Sequence, residues 1–208
     1  MAKENENAVV EQPEVNAEVE QNDFDFGKVF ETLAADSNNH VVKNAEIFSI
    51  KIGNRNKSYI ADEPVNPADL FLTIKVNRKV NAYREDESGE FVDTVSNQFQ
   101  IGYYSFLGAV NNSSDSVVRR MAAKIQRAVA NNCFAVFEDF FNGSHIDIVQ
   151  QEVLVGADGT AEYTNPFSQN GVAQTISHNM WISYIGNIKL DASAIAGMNA
   201  SRAKSFDW

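Results

Sequence analysis

The chain has a single cysteine, Cys133, so no disulfide bond can form within it. This scarcity is typical of proteins from a reducing compartment. The sequence lacks any apolar run approaching the roughly 18 residues that a membrane helix needs. No apolar segment follows Lys3, as one would in a signal peptide. We therefore expect a soluble cytoplasmic protein with no membrane partner, located in the host cytoplasm or the virion if its source is viral.

Motifs for catalysis are lacking as well. The histidines His40, His145 and His178 have no zinc-type spacing with one another or with Cys133. There is no G-x-S-x-G, no phosphate-binding glycine loop and no H-E-x-x-H. Cys133 lies on an apolar helical stripe, which predicts a small core residue and not a nucleophile. We therefore predict a non-catalytic protein with no cofactor and no metal site. An active site assembled from scattered residues is the alternative, and no residue is singled out for it.

Negative charge is abundant but unevenly spread. The 208 residues carry a net charge of −11. Residues 1–25 hold eight carboxylates and one lysine, a net charge of −7, which leaves −4 for the other 183 residues. Residues 1–22 have too little apolar surface to offset the entropy of ordering, so we predict a disordered acidic tail. We expect this tail to be a solubilising leader, a polyanion mimic that folds back on a basic face, or, together with Phe24 and Phe26 just after it, a peptide that captures a protein partner.

The remaining residues predict strands, one long helix and further strands. A short helix is expected through Leu33, and the expected strands before the long helix lie at about 45–52, 70–83, 91–95 and 98–107. In the first of them, Phe48, Ile50 and Ile52 should share one face. After the long helix we expect a strand at 146–155, a hairpin turn at 157–160, a loop at 163–174 and a last strand at 175–190.

The long helix is predicted from apolar residues at three- and four-residue steps between Val118 and Phe140. Ser114, Asp115 or Ser116 can serve as its N-cap, and Asn142-Gly143 ends it. Such a helix would have about 26 residues and span roughly 39 Å. We expect it to lie across the whole domain.

The segment 70–83 alternates, and its two faces differ in character. Strand side chains point to opposite faces with a period of two. One face should be core: Leu70, Leu72, Ile74, Val76, Val80 and Ala82. The other mixes aromatic, polar and basic residues: Phe71, Thr73, Lys75, Asn77, Lys79, Asn81 and Tyr83. Such a face suits a flexible polyanion whose bases can stack. The alternative is a second hydrophobic core beneath the long helix.

Other segments supply similar residues. Tyr104 and Phe106 would extend the mixed face from the strand at 98–107, and Trp181 and Lys189 would join it from the last strand. One side of the long helix carries a basic cluster of Arg119, Arg120, Lys124 and Arg127. Positive charge near a helix N-terminus opposes the macrodipole, which suggests an anionic partner. The alternative is a solvated face that neutralises nearby acids.

The order of elements resembles that of the OB-fold, a small Greek-key barrel that often binds single-stranded nucleic acid. It is similar in this respect to viral and bacterial single-stranded-DNA-binding proteins, over about residues 45–190. The resemblance implies an α+β fold, mainly antiparallel, built as an OB-like barrel. A single sheet packed on one long helix fits the same order. We divide the chain into the acidic tail at 1–22, one globular domain at 23–191 and a C-terminal tail at 192–208.

These features lead to two function hypotheses. The first is a sequence-tolerant, non-catalytic binder of single-stranded nucleic acid, such as a replication accessory protein. Its phosphate contacts would be Lys75, Lys79, Arg119, Arg120, Lys124 and Arg127, and its stacking residues Phe71, Tyr83, Tyr104 and Trp181. The alternative is a virion or other structural assembly protein, a homo-oligomer in which the C-terminal Trp208 docks on a neighbouring subunit.

Overall fold

The computed structural model describes residues 24–55, 65–134, 136–168 and 171–193. The elements are α1 (Phe26–Ala35), β1 (His40–Asn54), β2 (Leu70–Glu85), β3 (Phe91–Gly102), α2 (Tyr103–Asn111), α3 (Ser116–Ala130), α4 (Val136–Phe141), β4 (His145–Val153), β5 (Ala161–Thr164), β6 (Ala173–Ile176) and β7 (Met180–Lys189). Among these described helices, none is long and apolar enough to cross a membrane. The predicted acidic tail at 1–22 and most of the predicted C-terminal tail, including Trp208, lie outside the described residues.

Five strands form an open antiparallel sheet in the order β3-β2-β1-β4-β7, and β5 pairs with β6 in a separate sheet. The order β4-β1-β2-β3 is that of a Greek key. Residues 47–54 of β1 pair with β2, and its residues 40–46 pair with β4. The prediction of a mainly antiparallel α+β fold is confirmed. Within the described chain no backbone ladder joins β3 to β7, so a closed barrel does not form.

One core lies between the helices and a single face of β2. Five of the six predicted core residues of this strand are buried, and the sixth, Ala82, is half-buried: Leu70, Leu72, Ile74, Val76 and Val80 are the buried ones. They share one apolar cluster with Val118, Met121 and Ile125 of α3. The Phe106 ring of α2 contacts Phe137 and Phe141 of α4, with centroids 5.8 and 5.0 Å apart. The helices therefore cover this face, and the opposite face of β2 is left outside the helical layer.

Helix α1 confirms the predicted short helix and fixes its place on the fold. Asp25 is its N-cap and accepts a hydrogen bond from the Lys28 amide. Phe26 is buried over Gly108 of α2, where a Cβ atom would lie 2.5 Å from its ring. Phe24 is half-buried against Phe26. The expectation that Phe26 captures a partner is therefore wrong, because its ring belongs to the core.

The prediction of one helix through residues 118–140 is wrong. Helix α3 ends at Ala130, and Asn132 adopts a left-handed conformation with φ of 54°. The Cys133 amide donates to the carbonyl of Ala128, and the Asn132 amide donates to that of Val129. These two bonds form a Schellman motif with asparagine at the left-handed position. Cys133 follows this turn and is exposed, so its predicted place in the core is also wrong.

The predicted strand at 98–107 is correct only as far as Gly102. The two segments predicted at 91–95 and 98–107 form one strand, β3, and the chain turns directly into α2 at Tyr103. Tyr103 and Phe106 of α2 are buried, and Tyr104 is 58% exposed. Tyr104 and Phe106 therefore do not extend the mixed face of a strand, because the helical backbone sends them in different directions.

The C-terminal part of the sheet also differs in its pairing. Gly159 has a φ of 76° and its amide donates to the carbonyl of Gly156, so the predicted turn is present. The strands on either side of it do not form a hairpin, because β4 pairs with β7 and β5 pairs with β6. The predicted loop at 163–174 thus contains parts of β5 and β6, and the predicted strand at 175–190 is divided between β6 and β7.

Candidate nucleic-acid interface

The outward face of β1, β2 and β3 presents nine residues in register, which we call the outer platform. Its three rows are Gly53–Phe71–Gly102, Lys51–Thr73–Gln100 and Ser49–Lys75–Gln98, with the β2 residue in the middle of each row. Paired residues of neighbouring strands place their side chains on the same face. Because Leu72 and Ile74 on the alternate positions of β2 are buried under the helices, these nine residues lie on the opposite side of the sheet.

The outer platform is cationic, although the chain as a whole is acidic. Lys51 and Lys75 are exposed and form no ion pair with any side chain of the described residues. None of the nine positions holds a carboxylate. The nearest acid along β1 is Glu46, whose carboxylate accepts a hydrogen bond from the Asn77 amide group at 3.3 Å. Two ammonium groups without ion-pair partners, on a polar surface that holds no carboxylate, favour an anionic ligand.

Phe71 lies across Gly53 at one end of the outer platform. A Cβ atom on Gly53 would be 2.6 Å from Cζ of Phe71, so the absence of a side chain there makes room for the ring. On the other side of Phe71, a Cβ atom on Gly102 would have nothing within 4 Å. The half-buried Phe71 ring thus lies towards Gly53, and the position above Gly102 on its other side is open to an added Cβ atom.

The other end of the outer platform carries an aromatic residue that the sequence placed on the wrong face. The β1–β2 register shifts between Ile47 and Ser49, and Phe48 occupies this bulge with 56% of its surface exposed. The prediction that Phe48 shares a face with Ile50 is therefore wrong, since one extra residue reverses the alternation. Lys51 was likewise missed. A strand predicted to have Ile50 and Ile52 on one face already implies that Lys51 lies on the other.

Tyr83 and Trp181 bridge two parts of the sheet and do not lie on the outer platform. The Tyr83 hydroxyl donates to Glu152 at 2.7 Å, and the Trp181 indole N–H donates to Asp93 at 3.1 Å. Tyr83 is opposite Asp93 in the β2–β3 ladder, and Glu152 is opposite Trp181 in the β4–β7 ladder. The hydrogen bond to Glu152, together with burial, raises the pKa of Tyr83 to about 12. Their polar atoms already have partners within the fold.

Lys79 lies where the β2–β3 ladder is interrupted. Between the pairs Lys75–Gln98 and Val80–Ser96, residues 76–79 of β2 are opposite only Asn97. Lys79 is exposed and has no ion-pair partner among the described residues. This irregular segment separates it from the regular rows that contain Lys75.

The basic cluster lies on the exposed side of α3, opposite the buried residues that this helix contributes to the core. Its four members on α3 are exposed: Arg119, Arg120, Lys124 and Arg127. The buried residues of α3 and of β2 share one core, and Lys75 and Lys124 lie on the faces of their elements that point away from it, so the two lysines do not line one groove. Of the ten predicted nucleic-acid-binding residues, the structure thus brings Phe71 and Lys75 together and places the others in separate regions.

No metal centre is suggested by the described residues, since no three His, Cys, Asp or Glu side chains there form a group that could hold an ion. Comparison of the chain with protein-family models, with curated proteins and with solved structures found no match. The geometry of the outer platform is therefore the basis for a functional assignment.

Proposed function

We propose that this protein is a non-catalytic, sequence-tolerant binder of single-stranded nucleic acid and that the outer platform is its binding surface. The observation that supports this most directly is the composition of that face. In a chain with a net charge of −11, three paired strands present two unpaired lysines, an aromatic ring and polar amides without a carboxylate. This combination matches the needs of a ligand with a charged backbone and planar bases.

Each part of the outer platform has a chemical role in this proposal. Lys51 and Lys75 pair with phosphates. A base stacks beside Phe71 in the space above Gly102, and Phe48 provides a second aromatic surface at the opposite end. Phe48 and Gly53 are five residue steps apart on β1, a distance of about 16 Å along a strand. The platform therefore accommodates a short stretch of single-stranded nucleic acid. In a duplex the bases are paired and stacked on one another, so they would not be available to these aromatic rings.

The connectivity of the sheet supports the same proposal. The OB-fold is a five-stranded, partly open Greek-key barrel that binds oligonucleotides on the face of its second and third strands. Here the Greek key of β4-β1-β2-β3 is continued by β7, and the outer platform is centred on β2, with β1 and β3 on either side. We therefore favour an OB-like arrangement with an open seam between β3 and β7.

Fluorescence anisotropy with a labelled oligo-dT tests the proposal. We expect the full chain to bind at about 20 mM salt and to release the oligonucleotide as the salt concentration rises. Phe71→Ala should weaken binding about 5- to 150-fold, the effect of losing one stacked base. Gly102→Leu should also weaken binding, because an added Cβ there has nothing within 4 Å and the larger side chain would occupy the space proposed for the base.

A matched pair of charge reversals localises the site. The variant Lys51→Glu/Lys75→Glu should lose binding, whereas Arg120→Glu/Lys124→Glu, with the same change in net charge, should retain it. Absence of binding by the full chain at low salt would overturn the proposal. A large symmetric oligomer without oligonucleotide affinity, seen by light scattering, would favour the assembly hypothesis instead.

A further inference from the structure

Helix α3 presents a second cationic surface that the proposed function does not use. Arg120, Lys124 and Arg127 recur at four- and three-residue steps, so they lie along one side of the helix, which we call the α3 flank. All three are exposed and form no ion pair with a described side chain. Arg119, outside this row, donates to the carbonyls of Ser113 and Ser114, and Arg120 donates to that of Ser116.

The α3 flank differs chemically from the outer platform. Its neighbouring aromatic residue, Phe140, is partly buried and lies 5.9 Å from the ammonium group of Lys124. The flank thus offers charge without an open ring on which a base could stack. Arg120 also lies in the first turns of α3, where positive charge opposes the helix macrodipole and a bound carboxylate would be favourable. These properties suit carboxylate side chains better than nucleotide bases.

The N-terminal segment of the chain enters the described fold on the side of this helical layer. Phe24 contacts Phe26, and Phe26 packs on Gly108 of α2. Helix α2 in turn packs against α3, its most extensive helical neighbour. Residues 1–23 contain seven carboxylates and one lysine. They extend up to about 80 Å when stretched, several times the roughly 22 Å length of α3.

We propose that residues 1–23 bind to the α3 flank of the same chain through their carboxylates. The tether keeps the segment at a high effective concentration near the flank, so weak individual ion pairs suffice. The contact is electrostatic and exposed, and it therefore weakens as salt is added. It neutralises the α3 flank and leaves the outer platform free, which makes this inference independent of the proposed nucleic-acid site.

The single cysteine provides a direct test on the full chain. Cys133 is exposed just beyond the C-terminal end of α3, so a nitroxide label attached there reports on the surroundings of the flank. We expect paramagnetic loss of amide peak intensity in residues 1–23 at low salt and its recovery at high salt. The variant Arg120→Glu/Lys124→Glu should abolish this loss, and Lys51→Glu/Lys75→Glu, with the same charge change, should preserve it.

Three results would overturn the inference. One is undiminished peak intensity of residues 1–23 at low salt. Another is an effect that Lys51→Glu/Lys75→Glu removes and Arg120→Glu/Lys124→Glu does not, since the segment would then occupy the outer platform. The third is an equal effect when labelled and isotope-enriched chains are mixed as different molecules, because the contact would then join two copies. None of these results depends on oligonucleotide binding, so the two proposals fail separately.

Discussion

Asp147 holds together two irregular points of the sheet. One carboxylate oxygen accepts from the Asn44 amide at 2.8 Å, and the other accepts from the Asn187 side chain at 2.9 Å and from Lys43 at 3.1 Å. Asn44 and Asn187 have φ angles of 51° and 49°, and each lies where a strand register shifts. Asparagine tolerates this left-handed conformation better than most residues. The carboxylate therefore fixes both bulges at once.

We predict that Asp147→Asn lowers the free energy of unfolding by about 1–3 kcal/mol at neutral pH. Burial alone would raise the pKa of Asp147, but the hydrogen bonds from Asn187, Asn44 and Lys43 outweigh it and lower the pKa. A carboxyl group with a lowered folded-state pKa stabilises fully above its unfolded pKa, about 3.9, and loses this contribution as the pH falls through the folded value. Urea unfolding should show the two proteins converging below about pH 4.

Lys43→Ala serves as the control for this prediction. It removes the ion pair but leaves the hydrogen bonds of Asp147 to Asn44 and Asn187. The Lys43 side chain is 58% exposed, so the loss should stay below about 1 kcal/mol. If Lys43→Ala destabilised the protein as much as Asp147→Asn, the ion pair and not the two bulges would account for the effect.

Among the strands, a side chain of β4 connects β2 to the rest of the sheet where β1 and β2 no longer pair. Beyond Ile47 the two strands separate, and buried Gln150 of β4 bonds to the backbone of β2 instead. Its amide oxygen accepts from the Asn81 amide at 2.7 Å, and its amide nitrogen donates to the Asn81 carbonyl at 2.9 Å. The same nitrogen donates to Ser183 of β7 at 3.1 Å. One glutamine thus ties β2 to both β4 and β7.

We predict that Gln150→Ala lowers the free energy of unfolding by about 2–3 kcal/mol, because it leaves the backbone groups of Asn81 without partners. Hydrogen exchange at the Asn81 amide should accelerate in the variant. Gln151→Ala changes the neighbouring, half-buried residue and should cost less than about 1 kcal/mol. Equal stability of the Gln150 variant and the wild type would show that packing, not this hydrogen bonding, holds the two parts together.

Alternation and apolar periodicity were sufficient to predict several elements. Apolar residues at every second position predict the strand at 70–83 and its buried face. Apolar residues at every third or fourth position predict the helix through Leu33. Phe71 and Lys75 were correctly placed on the outward side of β2 because no irregularity intervenes between them. Regular segments are thus predictable from composition alone.

The wrong predictions come from single residues at which a regular pattern stops. The bulge at Phe48 reverses the faces of β1, and nothing in its apolar pattern indicates the extra residue. Asn132 ends α3 although the apolar stripe continues through Phe137 and Phe140 into α4. An asparagine pair at 131–132 is a known but weak signal for a helix end. The pairing of strands such as β4 with β7 depends on tertiary packing, so the local sequence pattern does not predict it.

For the molecule as a whole, the fold places two groups of cationic side chains on different surfaces of an acidic chain. Lys51 and Lys75 lie on the outward side of the sheet, and the α3 flank lies on the outward side of the helices. The core between them prevents one ligand strand from using both surfaces through a single groove. Each surface therefore forms ionic contacts with its own partner, and only those of the outer platform should contribute to the salt dependence of oligonucleotide binding.

The salt dependence of oligonucleotide affinity should distinguish charge from stacking in the intact protein. Each single-strand phosphate that is neutralised contributes about −0.7 to the slope of log K against log salt concentration. Lys75→Gln should therefore reduce the steepness by about 0.7, whereas Phe71→Ala should lower affinity at every salt concentration and leave the slope unchanged. Arg120→Gln should alter neither quantity, because the α3 flank lies on the other side of the core. If Arg120→Gln reduced the slope of log K against log salt concentration and Lys75→Gln left it unchanged, the phosphate contacts would lie on α3 and not on the outer platform.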